Sequence, residues 1–210
     1  HNIANIGTTH PINFRNMPVG STNTIIYLMY KENNIKIPKD MAGLMLSGIL
    51  SDTLILNSPT TTNIDRDAVN NLARIAKVNY KKYGFDMLSY GTKLNGKTKE
   101  EILYTDFKKY PTDEGVIGLG QIYTTNIEEI NKSKQAYIKM LNSITANNEY
   151  KFIALFVTDI IKNGTYVYFS DSGKEILSKA FSVEMEEGTY LPGVLSRKMQ
   201  ILPSILDVMN

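Results

Sequence analysis

Cysteine is missing from this chain of 210 residues. That excludes disulfides, thiolate metal sites and a cysteine nucleophile, and it fits a reducing compartment. No apolar run reaches the roughly 18 residues that a membrane span needs, and no signal peptide is visible. The expectation is a cytoplasmic protein. An excess of one charge is lacking too: 23 Lys and Arg against 21 Asp and Glu leave a formal net charge of +2. That is too little to argue for nucleic acid or an anionic membrane as a partner, so any basic function has to be local. Histidine is limited to His1 and His10, and no His or Asp cluster has metal-ligand spacing.

What is present is the make-up of an ordinary globular protein, 42% hydrophobic and 21% charged, with length for one large domain or two small ones. The chain opens on His1 rather than Met, which reads as a removed N-terminus or a portion of a longer protein. The most apolar run is Met41 to Pro59, MAGLMLSGILSDTLILNSP. Gly43, Ser47 and Ser51 recur every four residues and predict a small-residue stripe where another element packs close, with Leu44, Leu46, Ile49 and Leu50 as buried bulk. Asp52 then interrupts the run ahead of Leu54 to Leu56. A lone buried charge costs several kcal/mol unless it is paired, hydrogen-bonded or bound to a metal. Two readings stand on the residues alone: Ser51-Asp52-Thr53 ends the helix and caps the next turn, or Asp52 is a metal-ligand carboxylate at the end of a rigid helix.

Around this run the pattern predicts loop and short strand up to Thr22 and a helix from Ser21 or Thr22 to about Asn33 with Ile25, Ile26, Leu28, Met29 and Tyr30 as its apolar face. A helix Ile64 to Lys77 follows, with Ile64, Ala68, Leu72, Ile75 and Ala76 inward, and then another from Tyr80 to Tyr90. His10 and Arg15 read as surface or structural residues. Gly91 to Lys97, polar with two glycines, is the best domain boundary and hinge. Beyond it lie a capping box Thr98…Glu101, a hairpin of Thr105–Tyr110 and Gly115–Tyr123, and one long helix from Asn126 to Asn147. Next come a buried strand Phe152–Ile161, an Asn163-Gly164 turn into Thr165–Ser170, a short helix Lys174–Lys179, a strand Phe181–Met185, and Arg197–Met209 broken by Pro203. This second half is a smaller α+β lobe with a mixed sheet.

Cations suited to phosphate occur at two places in the second half. Lys108 lies in the strand-like TDFKKY, on the side of Asp106 and Tyr110, with Phe107 and Lys109 opposite. Arg197-Lys198 leave the loop LPGVLS where a helix begins, a favourable setting for an anion. On the residues alone each is equally readable as a solvated surface cation.

Four separated stretches carry a resemblance. LSDTLILNSPT is similar to the LSDTLLFKSPT signature of the family II, manganese-dependent inorganic pyrophosphatases of the DHH phosphoesterase superfamily. Met17-Pro18-Val19-Gly20-Ser21-Thr22 resembles the PVG-[ST/C]-T helix start that follows their Asp-His-His motif, and aligned there His1 falls on its second His. DFKKY is similar to D-x-K-x-[FY], and LPGVLSRKMQILP resembles L-x-GV-[VL]-SRK-x-Q-[VI]-[VLI]-P. The order is the family's, and the resemblance spans the chain. Asn2 departs from the usual Arg or Lys, which puts an anion contact there in doubt.

The resemblance implies an α/β fold: the end of a DHH-type metal-binding domain (residues 1–92), a hinge (91–97), and a C-terminal substrate-binding domain (98–210). It implies hydrolysis of pyrophosphate to two orthophosphates, with two or more Mn2+ (or Mg2+ or Co2+) ions activating the attacking water. In that reading Asp52 is a metal ligand, and His1 is proton donor or hydrogen-bond partner to phosphate. Lys108, Arg197 and Lys198 grip the phosphates as the lobes close, and Lys109 stays a surface residue. The family's other metal ligands have no counterpart here, so this stretch is expected to be the C-terminal portion of the enzyme and inactive alone. Another superfamily phosphoesterase, a polyphosphatase or an oligonucleotide phosphodiesterase, is the rival, but SRKMQ stands where those acting on nucleic acid carry a Gly-rich, His-containing motif. A non-catalytic phosphate-binding fragment is the other rival. The complete protein is expected to be a homodimer. FRNMPVGST and SPTTT resemble the branch regulated by adenine nucleotides through CBS domains.

Overall fold

The computed structural model describes residues 7–92, 94 and 96–209. His1 and Asn2, and positions 93 and 95 of the expected hinge, lie outside them. The chain divides into two compact units, His1–Met87 and Leu88–Asn210, each with a core of its own.

The described part of the first unit is helical. Helix α1 (Thr22–Glu32) starts where the Ser21 side chain accepts from the Asn23 amide. Helix α2 (Lys39–Asp52) begins after Pro38. Helix α3 (Asn63–Ala76) opens on a capping box between Thr62 and Asp65 and ends at Lys77, which is left-handed with φ 59°. Helix α4 (Tyr80–Gly91) spans the division between the units. The core holds Tyr27, Met45, Leu46, Ile49, Leu50, Val69 and Leu72.

The helix face that packs differs from the one expected. Ala42, Met45, Leu46, Ile49 and Leu50 point inward, so the stripe at Gly43, Ser47 and Ser51 runs along the flank and Leu44 faces out, 67% exposed. A methyl group on Gly43 would meet nothing. The close approach is at Gly48, where a Cβ would run into the Asn23 amide. Ile64, in the first turn of α3, is also exposed, as are Ile26 and Met29 on α1. Residues 7–20 form no strand. Their chain instead runs to α1 past an ion pair between Arg15 and Glu32.

The second unit is a five-stranded mixed sheet in the order β1-β2-β3-β4-β5. Helix α5 (Lys99–Tyr104) carries the Thr98–Glu101 capping box. Strands β1 (Phe107–Thr112) and β2 (Gly115–Thr124) form the expected hairpin. Strand β3 (Phe152–Asp159) lies parallel to β2, and β4 (Gly164–Phe169) and β5 (Thr189–Pro192) add antiparallel. Alternation along β3 divides the core. Ile153, Leu155 and Val157 face α5 and the helices after β2, whereas Phe152, Ala154 and Phe156 face the C-terminal helices.

Three expectations change here. The long helix after β2 is two helices, α6 (Glu128–Asn131) and α7 (Lys134–Asn147). The break at Ser133 lets Ile127 and Ile130 as well as Tyr137 and Leu141 reach one core, and the Tyr168 hydroxyl donates to Asn131 beside it (2.6 Å). Residues 181–185 are not a strand. Helix α8 (Lys174–Phe181) runs on until Ser182 turns left-handed, and the edge strand forms later, at β5. Pro203 does not end the helix; it lies in the first turn of α9 (Leu202–Met209), just where the wider turn of residues 197–201 gives way to it.

Candidate functional site

In the first unit, the elements around Asp52 are tied together by two carboxylates. Asp65 is fully buried. It accepts from the Gly20 amide (2.9 Å), the Thr62 amide (2.8 Å) and hydroxyl (2.7 Å), and the Thr24 hydroxyl (2.5 Å). Burial is the largest single influence on it and pushes its pKa up, but the hydrogen bonds from Thr24, Thr62 and Gly20 together hold it below the usual carboxylate range. Gly20 has to be glycine, since a Cβ would press on Thr53, Asp65 and the Thr60 carbonyl. The PVGS turn is thereby fixed to the start of α3, and it delivers Ser21 to the end of α2. There the Ser21 hydroxyl donates to Asp52 Oδ2 (2.6 Å).

Asp52 is the last residue of α2 and is exposed, not buried as its apolar surroundings in the sequence suggested. The cost of burying a charge therefore does not arise. A different cost does, because a carboxylate at a helix C-terminus faces the negative end of the dipole, unfavourable by about 0.3–1 kcal/mol. A cation or a hydrogen-bond donor relieves it, and Ser21 is one such donor. Beyond Asp52 the chain does something that its apolar letters conceal. Leu54, Ile55 and Leu56 are all left-handed, with φ 48°, 55° and 67°. The conformation costs about 1–2 kcal/mol per residue. Thr53 clasps the turn: its hydroxyl donates to the Ile49 carbonyl (2.6 Å) and accepts from the Leu56 amide (3.2 Å). Leu54 and Leu56 are buried by it, which at about 1.5–3 kcal/mol each offsets the strain.

Manganese is the ion that the resemblance implies, and the described residues do not by themselves fit it. Mn2+ favours a shell of carboxylate, carbonyl and water oxygens, yet no group of three or more His, Asp or Glu side chains able to hold a metal occurs among the described residues. Asp65 is saturated by its own donors, and Asp52 is a single carboxylate.

In the second unit Arg197 reaches the carbonyl of Leu119, the residue paired with Lys108. Ser196 begins a wide turn at residues 197–201. Its hydroxyl accepts from the Met199 amide, and its carbonyl accepts from Gln200 and, five residues on, from Ile201. Such i→i+5 turns are uncommon and frequent at functional sites. Arg197 points into the sheet and is only 7% exposed. Its Nη1 donates to the carbonyls of Asp106 (2.6 Å) and Leu119 (3.1 Å), and its Nη2 to Asp106 Oδ1 (2.7 Å). Leu119 is the cross-strand partner of Lys108, so Arg197 and Lys108 belong to one patch of the sheet. Lys108 and Lys198 are exposed.

Two glutamines that sequence reasoning did not single out hold this loop. Gln121 is buried on the Leu119 face of β2. It donates to Thr158 Oγ1 (3.0 Å) and the Leu195 carbonyl (3.1 Å), and it accepts from the Arg197 amide (3.3 Å). The only signal was a polar letter inside GVIGLGQIY. Gln200 accepts from the amides of Leu195 and Ser196 (2.9 and 3.1 Å) and donates to the Gly193 carbonyl (2.9 Å); it was visible in SRKMQ. Nearby, Tyr123 is pushed up in pKa by burial and then by Asp106, with Arg197 pulling it back.

Residues 86–208 match the DHHA2 domain family. Over the whole chain, a probable manganese-dependent inorganic pyrophosphatase of Lactobacillus acidophilus is 40% identical and one of Clostridium acetobutylicum 41%, the alignments covering 100% of this chain and 68% of each relative. The crystal structure of a Methanococcus jannaschii protein assigned to the family II inorganic pyrophosphatases superposes with a TM-score of 0.80 at 34% identity, covering 98% of this chain and 70% of that one. With its C-terminal DHHA2 domain and its whole length aligned to these relatives, the chain belongs to the manganese-dependent, family II inorganic pyrophosphatases.

Proposed function

We propose that the protein carrying this sequence hydrolyses inorganic pyrophosphate to two orthophosphates in a manganese-dependent reaction. The observation that carries the reading is the turn at Ser196–Ile201. It holds Arg197 against Asp106 and β2, with Lys198 next to it in the chain and Lys108 on β1, the strand paired with β2. Phosphoryl transfer asks for cations that neutralise phosphate oxygens and for ions that activate water, with little covalent help from the protein. Membership of a family whose relatives are named for this reaction supports the same reading.

The roles divide along the chain. Residues 1–92 form the end of the metal-binding domain, 91–97 the hinge, and 98–210 the substrate-binding domain. Asp52 is a metal ligand. Lys108, Arg197 and Lys198 bind pyrophosphate, and His1 is the proton donor or hydrogen-bond partner. One carboxylate does not make a manganese site, so the remaining ligands come from residues other than those described, and the chain alone is expected to be inactive. The same resemblance extends the proposal to a cytoplasmic homodimer, with adenine nucleotides as regulators where CBS domains accompany the chain. No helix among the described residues is long and apolar enough to cross a membrane.

Phosphate release from pyrophosphate, with and without added manganese, tests this on the product of the complete reading frame and on the 210-residue chain in parallel. Manganese-dependent release by the first and none by the second is expected. Failure of the complete product on pyrophosphate, with activity on polyphosphate or oligonucleotides, overturns the assignment.

A further inference from the structure

We propose that Asp106 is a positioning residue that limits Arg197 to a single phosphate-binding edge. The inference rests on the pyrophosphatase reading and adds the mechanism by which one of its cations is aimed.

Arg197 has five N–H donors in a rigid plane. Nη1 spends both of its hydrogens on the carbonyls of Asp106 and Leu119, and Nη2 spends one on Asp106 Oδ1. Both nitrogens engage Asp106, so the end of the fork is committed to that residue. What remains is Nε–H and the second Nη2–H, which lie side by side along one edge of the guanidinium. Two parallel donors are the arrangement that grips two phosphate oxygens at once. The stem cannot swing to offer another edge, because Arg197 is only 7% exposed. Its own amide is also held, by Gln121.

Asp106 suits the task. It pairs with Arg197 while its side chain stays about half exposed, at 48%. Its carbonyl accepts from the Gln121 amide of β2 as well, so the residue is pinned to the sheet just ahead of β1, the strand that carries Lys108 two positions later. A guanidinium ordered before the anion arrives loses less freedom on binding. Asp106 therefore acts on substrate through Arg197 and touches none itself.

The test is a double-mutant cycle in the complete protein, read as KM and kcat for pyrophosphate with manganese saturating. Asp106→Ala is expected to raise KM about tenfold with kcat changed less than about twofold. Asp106→Asn keeps the Oδ1 acceptor and is expected to stay within about twofold of wild type. In an Arg197→Ala background, Asp106→Ala should add nothing, because the group it positions is gone. An unchanged KM in Asp106→Ala, a loss confined to kcat, or an additive loss in the Arg197→Ala background overturns the proposal. If Asp106→Ala does not fold, Asp106→Ser replaces it, since its hydroxyl is too short to reach Nη2. If wild type hydrolyses no pyrophosphate, the functional reading falls separately. The same four proteins are then titrated with inorganic phosphate by calorimetry, where affinity must show the same non-additivity or the positioning role is refuted.

Discussion

Asp65 gives the sharpest test of how the first unit is held together. Its Oδ2 receives three donors and its Oδ1 one, all within the buried junction of the PVGS turn, α1 and α3. Replacing it with Ala strands two amide N–H groups and two hydroxyls. The hydroxyls can turn elsewhere, but the amides cannot. At about 1–3 kcal/mol for each buried donor left unpaired, the loss is about 3–5 kcal/mol. Asp65→Asn is a gentler change. Its NH2 can face Thr24, whose hydroxyl then accepts, so every partner is kept and only the charge is lost. Charge-assisted hydrogen bonds are roughly twice as strong as neutral ones, so about 1–3 kcal/mol goes. Urea unfolding, followed by hydrogen exchange in peptides covering α1 and α3, measures both. The sign with pH also follows. Hydrogen bonding holds the folded pKa below its unfolded value of about 3.9, so the contribution is fully present above that pH and is lost as pH falls through the lower, folded value. Wild type should therefore lose stability below about pH 4, and Asp65→Asn should lack that part of the decline. If Asn costs as much as Ala, or Ala costs less than about 1 kcal/mol, the junction is not held in this way.

Other perturbations separate the two units. Asp52→Asn in the complete protein should cut manganese-dependent hydrolysis more than about 100-fold, since even residues that merely support a metal ligand are worth about 10–100-fold; full activity with unchanged manganese affinity refutes its role as a ligand. Lys198→Ala should raise KM with manganese affinity unchanged, read by steady-state kinetics beside a metal titration. Gln121→Leu leaves the Arg197 amide, the Leu195 carbonyl and the Thr158 hydroxyl short of a partner. A loss of about 1–3 kcal/mol should appear in thermal melts, with a rise in KM. Gly20→Ala, forced against Thr53 and Asp65, should cost about 1–3 kcal/mol in urea unfolding.

How much of this was legible depended on whether a local rule governed it. The caps at Ser21 and Thr98 were readable because a group three residues or fewer away answers them, the Asn23 amide in one case and Glu101 in the other. The β1–β2 hairpin and the turn at Asn163 followed from alternation and turn chemistry. The second core could not be read that way. The edge strand at Thr189–Pro192 forms only because β4 offers it a partner, and residues 181–185 have strand-like letters but no such partner. For the candidate site, the motif residues were visible as letters, but their environments were not. Arg197 looked like the start of an exposed helix and is buried, because its partners, Asp106, Leu119 and Gln121, lie more than seventy residues earlier in the chain. Asp52 looked buried and is exposed, because α2 turns its other face to the core.

The left-handed turn at Leu54–Leu56 has a consequence for how damage to the first unit will be read. Leucine and isoleucine have no local preference for that backbone, so the turn depends on the burial of Leu54 and Leu56 together with the Thr53 clasp. Leu56 packs among the buried side chains of α2 and α3, so the placement of Asp52 is conditional on the packing around it. A substitution deep among those helices, far from any phosphate, should disturb metal affinity before it unfolds the protein. With Asp52 in its proposed role as a metal ligand, tolerance to mutation and competence for metal become one property of this unit measured in two ways.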